Sequence, residues 1–578
     1  MSYMEVLEYD LVVVGSCLAG LRAAVAAASR GAAVAVVTKV AGPRSHSISA
    51  EGGMAAVVHP NKTGDSYELH AYDTVKGGDF LVDQEAAITL AYEAPKEVYF
   101  LDSIGVPWNK DPDGTFSLRQ FGGMSKPRTV FAKDKTGFYI MSAIYKHVKG
   151  FSNIHLYEEH LVTRLVVKGG VFYGVVAYDM RRGELRGFAA PAGVIATGGG
   201  GRMFRLTTMG FLNTGEMYGY ALRAGLALRD MEFVQWHPTA LVPAGVLISE
   251  AARAEGAYLV NRHGERFMKR YDPERMELAP RDVVSRAIYF ECLKGNGFVH
   301  ESGLCYVGLD IRHLDPERVE QRLPLLLELS KTYAGVDPFN EVIPVRPAVH
   351  YFMGGIMTDI EGRALDRDGN WVRGLWAAGE AASTGVHGAN RLGSNSLAEC
   401  AVWGRLAGEA ATAYAKGRRP ARELVAEAVK AEEERINGLL RREGGGESVR
   451  SLLKELQNLM EGGGGIVRSE KAAVEALKKL TDLKRRINNV RISDGGRIYN
   501  MELREVLELE GMLLAAETVL LGALLRQESR GAHYRVEFQS RDDKRWLVHS
   551  VYFLYGGNVM TKQRPVNVTR WMPEARRY

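Results

Sequence analysis

Asp10-Leu-Val-Val-Val-Gly-Ser-Cys-Leu-Ala-Gly20 opens the chain's first regular pattern. Four consecutive apolar residues end on Gly15, the mark of a strand buried on both faces of a parallel sheet. From Gly20 to Arg30 nearly every residue is Ala, Leu or Val, which predicts a helix with Gly31 just past its end. Ala33 to Thr38 is a second apolar strand, so the segment reads as a βαβ unit. Its turn, Gly15-Ser-Cys17-Leu-Ala19-Gly20, follows the dinucleotide fingerprint G-x-G-x-x-G, which brings a pyrophosphate onto a helix N-terminus. Two features depart from that fingerprint. Cys17 replaces the glycine that lets the pyrophosphate approach, and Thr38-Lys39 stands where an acidic residue would hold the ribose.

Further strands of the same kind are Gly193-Val-Ile-Ala-Thr197 and Gly374-Leu-Trp-Ala-Ala-Gly379, each entering a Gly-rich turn. Residues 237–350 between them are mixed and proline-punctuated, as in an inserted domain. After Gly417, charged amphipathic helices are expected over Ala421–Arg442, Ser448–Met460, Ser469–Asn488 and Met501–Arg526, broken at Gly444–Gly446 and Gly462–Gly465. The fold class expected is α/β: a Rossmann-type nucleotide-binding domain (1–236 and 351–415) split by an α+β capping domain (237–350). A helical bundle (416–528) and a small C-terminal domain (529–578) follow.

The 578 residues are 46% hydrophobic and 25% charged, which excludes disorder over most of the length. A net charge of +5 is small for this size and argues against a nucleic-acid binder. Cys17, Cys292, Cys305 and Cys400 are scattered and form no C-x-x-C. No iron–sulfur cluster or structural zinc is expected from this chain's thiols, and the cysteine usage suits a reducing compartment. No signal peptide and no run of ~18 apolar residues is seen.

Arg44-Ser-His46-Ser-Ile-Ser-Ala-Glu51-Gly52-Gly53 resembles the flavin-attachment segment of succinate dehydrogenase and fumarate reductase flavoprotein subunits. The similarity continues through Phe121-Gly-Gly-Met124, Asp134-Lys-Thr-Gly137, Ala196-Thr-Gly-Gly199, Asp230-Met-Glu-Phe-Val-Gln-Trp-His237-Pro-Thr239, Ala279-Pro-Arg281-Asp282, His350-Tyr-Phe-Met-Gly-Gly355 and His387-Gly-Ala-Asn-Arg391-Leu-Gly-Ser-Asn-Ser396. It ends in Ser529-Arg-Gly-Ala-His-Tyr534 and Arg541-Asp-Asp-Lys-Arg-Trp546, and so covers residues 8–560.

The resemblance implies interconversion of succinate and fumarate at a site between the FAD domain and the cap. It implies FAD bound covalently through His46. The residues it places on the cofactor are Gly15, Cys17, Ala19, Gly20, Thr38, Lys39, Ser45, Ser47, Glu51, Gly52, Gly53, Ala196, Thr197, Gly198, Glu216, Glu380, Arg391, Asn395, Ser396 and Leu397. Asn395 to Leu397 are expected to open a helix toward the flavin ring. Glu216 stands where the family usually has Asp. The resemblance puts His237, Ser249, Glu250, His350 and Arg391 around a small dianion, which needs cationic or donor partners on leaving water. It makes Arg281 the proton donor and acceptor, reloaded through Glu250 and Arg253; a free guanidinium keeps its proton up to about pH 12, so the role needs a dry site whose other cations disfavour the charge. It further implies an iron–sulfur subunit, a membrane anchor that meets quinone, and a peripheral position on the cytoplasmic face of the membrane. L-Aspartate oxidase, a soluble fumarate reductase and a non-catalytic flavin sensor are the rival readings. The direction of the reaction stays open.

Overall fold

The computed structural model describes residues 5–442 and 446–575. The opening segment forms strand Leu11–Val14, helix Leu18–Ala28 and strand Val34–Thr38, both strands wholly buried. Five parallel strands lie side by side in the order Trp371–Ala377, Ala192–Ile195, Leu11–Val14, Val34–Thr38, Ile154–Glu158. This is the α/β arrangement read from the sequence. An antiparallel meander, His160–Lys168, Val171–Asp179 and Glu184–Ala189, extends the sheet at one edge. Helix Asn395–Ala415 lies directly on helix Leu18–Ala28. Contact is that close because Gly404 and Gly408 carry no Cβ; one added there would stand 2.6 Å from Ala19 O and 2.4 Å from Ala23 O.

A second sheet is antiparallel: Val234–Leu241, Ile343–Phe352, Cys305–Asp310, Tyr258–Val260. Helix Arg281–Leu293 packs on it through Val284 and Ile288, in a core shared with Val307 and Val345. The expected domain edges at 236/237 and 350/351 fall inside strands Val234–Leu241 and Ile343–Phe352, which pair with each other. A third sheet joins Leu228–Arg229, Gly355–Met357 and Ala382–Ser383 to the C-terminal strands Val548–Tyr555 and Asn558–Pro565.

Helices Arg422–Leu440, Val449–Gly463, Glu470–Arg486 and Met501–Leu525 bury their apolar sides in one core. The expected break at Gly462–Gly465 falls later, since the helix runs through Gly463. Of the expected break at Gly444–Gly446, residues 444 and 445 lie outside the described residues.

The expectation of four scattered thiols is corrected. Cys292 and Cys305 form a disulfide across 13 residues, while Cys17 and Cys400 are free. Cys292 ends the helix that begins at Arg281, and strand Phe298–Val299 turns the chain back so that Val299 pairs with Cys305. A return this local, set by a hairpin, leaves no mark in cysteine spacing alone. Among the described residues no helix is long and apolar enough to cross a membrane.

Candidate active site

The C-terminal ends of the parallel strands and the cap sheet enclose one cavity of about 1460 Å³, its open mouth included. Its lining reaches from the strand ends to the cap sheet, the extent that a dinucleotide with a second ligand beside it requires. Gly15, Cys17, Thr38, Lys39, Ala196, Thr197 and Gly198 line it from the strand ends, with Ser45 to Ser47 and Glu51 to Gly53 along another wall. Gly15 has φ of +105°, and a Cβ there would meet Ala196 O at 2.2 Å. Gly20 lies under the turn instead, where a Cβ would stand 2.1 Å from Gly15 O. It fixes helix against strand without lining the cavity.

Cys17 caps helix Leu18–Ala28, and its thiol donates to Ala196 O at 3.2 Å. The sulfur thus turns toward the neighbouring strand end, so a side chain larger than hydrogen is accommodated at the helix mouth. Lys39 answers the missing ribose acid differently. Its ammonium is 2.8 Å from Glu216 and 2.9 Å from Glu508 of helix Met501–Leu525. Burial works against its charge, but the two carboxylates outweigh it and hold the lysine pKa up. The longer arm of Glu216 is used here, on Lys39 and Thr214.

Several buried polar atoms facing this region lack a protein partner: Ser45 Oγ, His46 Nδ1, Ser394 Oγ and Arg391 Nε. Burial, then Arg202 and Arg391, push the His46 imidazole down to about 4, so it is neutral and keeps a free lone pair. Glu380 is pushed up to about 8, chiefly by burial, and accepts from Phe352 N at 2.9 Å. Burial and then the Asp134 charge raise Glu51 well above the carboxylate range. Burial thus works against negative charge on both carboxyls. Orphaned donors and acceptors around a long cavity, with a helix N-terminus at one wall, are what FAD requires, and the residues fit it.

At the cap side stand His237, Leu247, Ser249, Glu250, Arg281, His350 and Arg391. Both histidines sit at irregularities in the pairing of Val234–Leu241 with Ile343–Phe352. Gln235 faces Tyr351 and Trp236 faces Val349, which leaves His350 as the extra residue of a bulge. After His237, Pro238 and Thr239 together oppose Pro347. Bulges re-aim side chains, and prolines cannot complete the ladder. The two rings end with centroids 5.0 Å apart. Both are pulled well below the usual imidazole value. Burial is the largest cause, followed for His237 by Arg281 and for His350 by His237.

Arg281 begins helix Arg281–Leu293 and is clamped on two sides. Its Nε donates to Glu250 at 2.8 Å, and one Nη to Gln235 Oε1 at 3.2 Å. Gln235 in turn donates to Arg391 O at 2.8 Å. Behind Glu250, Arg253 stands 3.7 Å away and donates to Glu277 O. Arg253 is buried and does not line the cavity, so it touches the site only through Glu250. Burial raises Glu250, but Arg281 and Arg253 overcome it and keep the carboxylate low. Arg391 lies over the Tyr351 ring at 4.3 Å and is lowered to about 10 by burial and Arg281.

Two more expected contacts fall elsewhere. Ala19 does not line the cavity, and Asn395 turns away to His70 and Thr74, each at 3.0 Å. Ser396 and Leu397, at the start of the same helix, do face it. Sequence reading did not single out Gln235, Tyr351, Ser394, Asn213 or Phe121 as site residues. Gln235, Tyr351, Ser394 and Phe121 lie inside the quoted motifs, which was the available signal.

Residues 10–397 match the family model for an FAD binding domain, and residues 453–578 the model for the fumarate reductase flavoprotein C-terminus. The fumarate reductase flavoprotein subunit of Mycobacterium tuberculosis is 42% identical, with 99% of each chain covered. The succinate dehydrogenase flavoprotein subunit of Rickettsia bellii is 39% identical, over 98% of this chain and 97% of that protein. A solved structure of quinol-fumarate reductase with menaquinol molecules superposes with a TM-score of 0.93 at 41% identity, over 99% of this chain and 100% of that one.

Proposed function

The chain belongs to the family of fumarate reductase and succinate dehydrogenase flavoprotein subunits, and we propose that it interconverts succinate and fumarate. As a family member it is an FAD-binding oxidoreductase. The observation that carries the proposal is the convergence of His237, His350, Arg391 and Arg281 on one wall of the cofactor cavity. Bound FAD supplies the hydride acceptor or donor.

His237, His350, Ser249 and Arg391 take the two carboxylates. The neutral imidazoles and the hydroxyl offer hydrogen bonds, and Arg391 offers charge. Arg281 gives or takes the proton at the carbon next to the hydride site, and the Glu250 clamp fixes where its remaining N–H groups point. Glu250 and Arg253, in sequential contact behind it, return the proton. The cap sheet covers one side of the cavity, and burial of these groups strengthens each of the contacts.

His46 is the residue we assign to covalent FAD attachment, supported by its neutral, unpartnered ring nitrogen. Ser45, Ser47, Gly52, Gly53, Glu380, Ser396 and Leu397 would hold the cofactor by their position on the cavity wall. The C-terminal family match and His46 weigh against L-aspartate oxidase. The complete dicarboxylate wall weighs against a sensor. We assign electron exit to an iron–sulfur subunit and quinone exchange to a membrane anchor, because the chain has no C-x-x-C. These partners would hold it on the cytoplasmic face of the membrane.

The test is the intact mass of the acid-denatured native chain, followed by anaerobic addition of succinate to the holoprotein. Expected are one FAD of added mass on a peptide containing His46 and bleaching of the flavin band. Release of free FAD would refute the covalent link. A flavin that succinate does not bleach and that fumarate does not reoxidise after reduction by dithionite would refute the activity.

A further inference from the structure

Thr208 sits in the segment following the Gly-rich turn Gly198–Gly201 and runs beside strand Ile343–Phe352 through a parallel bridge from Thr207 to Val349. Its hydroxyl lies 2.7 Å from His350 Nδ1. The direction of that hydrogen bond follows from counting partners. Among the described residues the only other acceptor within reach of the hydroxyl is Val349 O, at 3.4 Å. That carbonyl already accepts from Thr208 N at 2.9 Å and from Thr207 Oγ1 at 2.8 Å. A carbonyl has two lone pairs, and both are engaged. The Thr208 proton therefore goes to the short contact, His350 Nδ1 accepts it, and the single proton of the neutral ring stands on Nε2.

His237 obeys the same rule by a different donor. The backbone N–H of Thr239 reaches His237 Nδ1 at 3.3 Å, and a main-chain N–H can only donate. The Thr239 hydroxyl is committed to Ile248 O at 2.8 Å. His237 is thus also the Nε2–H form. Burial and the surrounding guanidinium groups keep both rings neutral.

We propose that Thr208 is a positioning residue that locks His350 in its Nε2–H tautomer, so that the histidine pair presents two N–H donors and no acceptor to a bound dicarboxylate. The proposal rests on the reading of this wall as a dicarboxylate site. Its consequence is selectivity. A carboxylate oxygen finds a donor on each ring, whereas a neutral amide or ester at the same place offers fewer acceptors and no charge to Arg391. An imidazole in the opposite tautomer would turn a lone pair toward the carboxylate and repel it.

The experiment is titration of the flavin-loaded protein with malonate, a non-reactive dicarboxylate, read from the shift of the flavin absorption between pH 7 and 9. In wild type, affinity should show no ionisation from His350 over that range. Thr208→Val, of matching shape, should bind about 5- to 10-fold more weakly, the equivalent of one neutral hydrogen bond. Thr208→Ser should restore affinity to within about 2-fold. Thr208→Asp accepts from Nδ1–H, so Nε2 can donate only when the ring is charged. Malonate affinity should then fall about 10-fold per pH unit above the ionisation of that ring. Equal affinities in wild type and Thr208→Val, or a Thr208→Asp profile parallel to wild type, would overturn the lock. If wild type takes no dicarboxylate, the reading of the site fails separately. The tautomer is then decided by the nitrogen-15 shift of Nδ1 in histidine-labelled protein, assigned by its loss in His350→Gln. An unprotonated Nδ1 supports the lock, and a protonated one overturns it.

Discussion

His549 makes the stability of this protein depend on alkaline pH. It lies on strand Val548–Tyr555, 2% exposed, with Nδ1 2.6 Å from Asp230 and Nε2 3.1 Å from Asp83. Asp83 also meets Arg229 at 3.0 Å, and Asp230 accepts from Ser550 N at 3.0 Å. Burial opposes the charge on the ring, but the two carboxylates prevail and raise its pKa from 6.5 to about 9. The folded value is above the unfolded one, so the folded state holds the proton more tightly. The contribution is complete below pH 6.5 and is lost as pH rises through about 9. A rise of about 2.5 units corresponds to about 3 kcal/mol. His549→Gln keeps a donor and an acceptor but cannot charge. Urea unfolding of the flavin-loaded protein should place the variant about 3 kcal/mol below wild type at pH 6, with the gap closing toward pH 10. The counterpart, Asp83, is held below its usual range despite burial by His549 and Arg229, so it acts at the acid end and leaves this window untouched. A gap that stays constant from pH 6 to pH 10 would refute the assignment of a charged His549 between two aspartates.

Two further predictions concern the helix that begins at Arg281. Arg281→Lys should lower turnover at least 10²- to 10⁴-fold, the usual contribution of a placed proton donor, with FAD retained, because a lysine cannot meet Glu250 and Gln235 in the same fork; turnover near wild type would remove Arg281 from proton transfer. Cys305→Ser opens a loop of 13 residues and should cost about 3 kcal/mol of cap stability on the chain-entropy account, seen as earlier proteolytic cutting between residues 294 and 304; a cutting rate equal to wild type in the absence of reductant would show that the disulfide does not constrain the cap.

Strands Leu11–Val14, Val34–Thr38 and Ala192–Ile195 were legible to within one or two residues because each is a short, uninterrupted apolar run; Trp371–Ala377 was read three residues late because Arg373 interrupts it, and Ile154–Glu158, which carries His155, was not read at all. Val12 and Val36 are buried on both sides, so no polar alternation blurs the pattern. Helices Arg422–Leu440, Val449–Gly463 and Glu470–Arg486 were legible for the opposite reason, a 3.6-residue alternation of charged and apolar positions, while Met501–Leu525 is apolar on nearly every side over its second half. Residues that meet only through long-range register were not legible. Asn395 was expected on the cofactor, but helix Asn395–Ala415 starts with a turn that directs it to His70, 325 residues earlier. The pairing of Cys292 with Cys305 needed the intervening hairpin. Gln235 sat in plain view two positions before His237, yet its contact with Arg281 depends on how helix Arg281–Leu293 lies across the cap sheet.

The two histidines show why a motif can reveal residues without revealing their chemistry. Read as charged groups, His237 and His350 would add to Arg281 and Arg391 and make a strongly cationic pocket. Buried side by side and beside guanidinium groups, they instead lose their charge, and the threonines at 208 and 239 decide which nitrogen keeps the proton. The same burial raises Glu51 and Glu380 above the usual carboxylate range. Positive charge at the dicarboxylate wall is then left to guanidinium groups, and the histidines supply direction. On the proposed reading, a site arranged this way would bind a dianion by charge yet order it by hydrogen bonds. The orienting donors would also stay in place if Arg281 gives up or regains a proton, because burial holds both imidazoles well below their usual value.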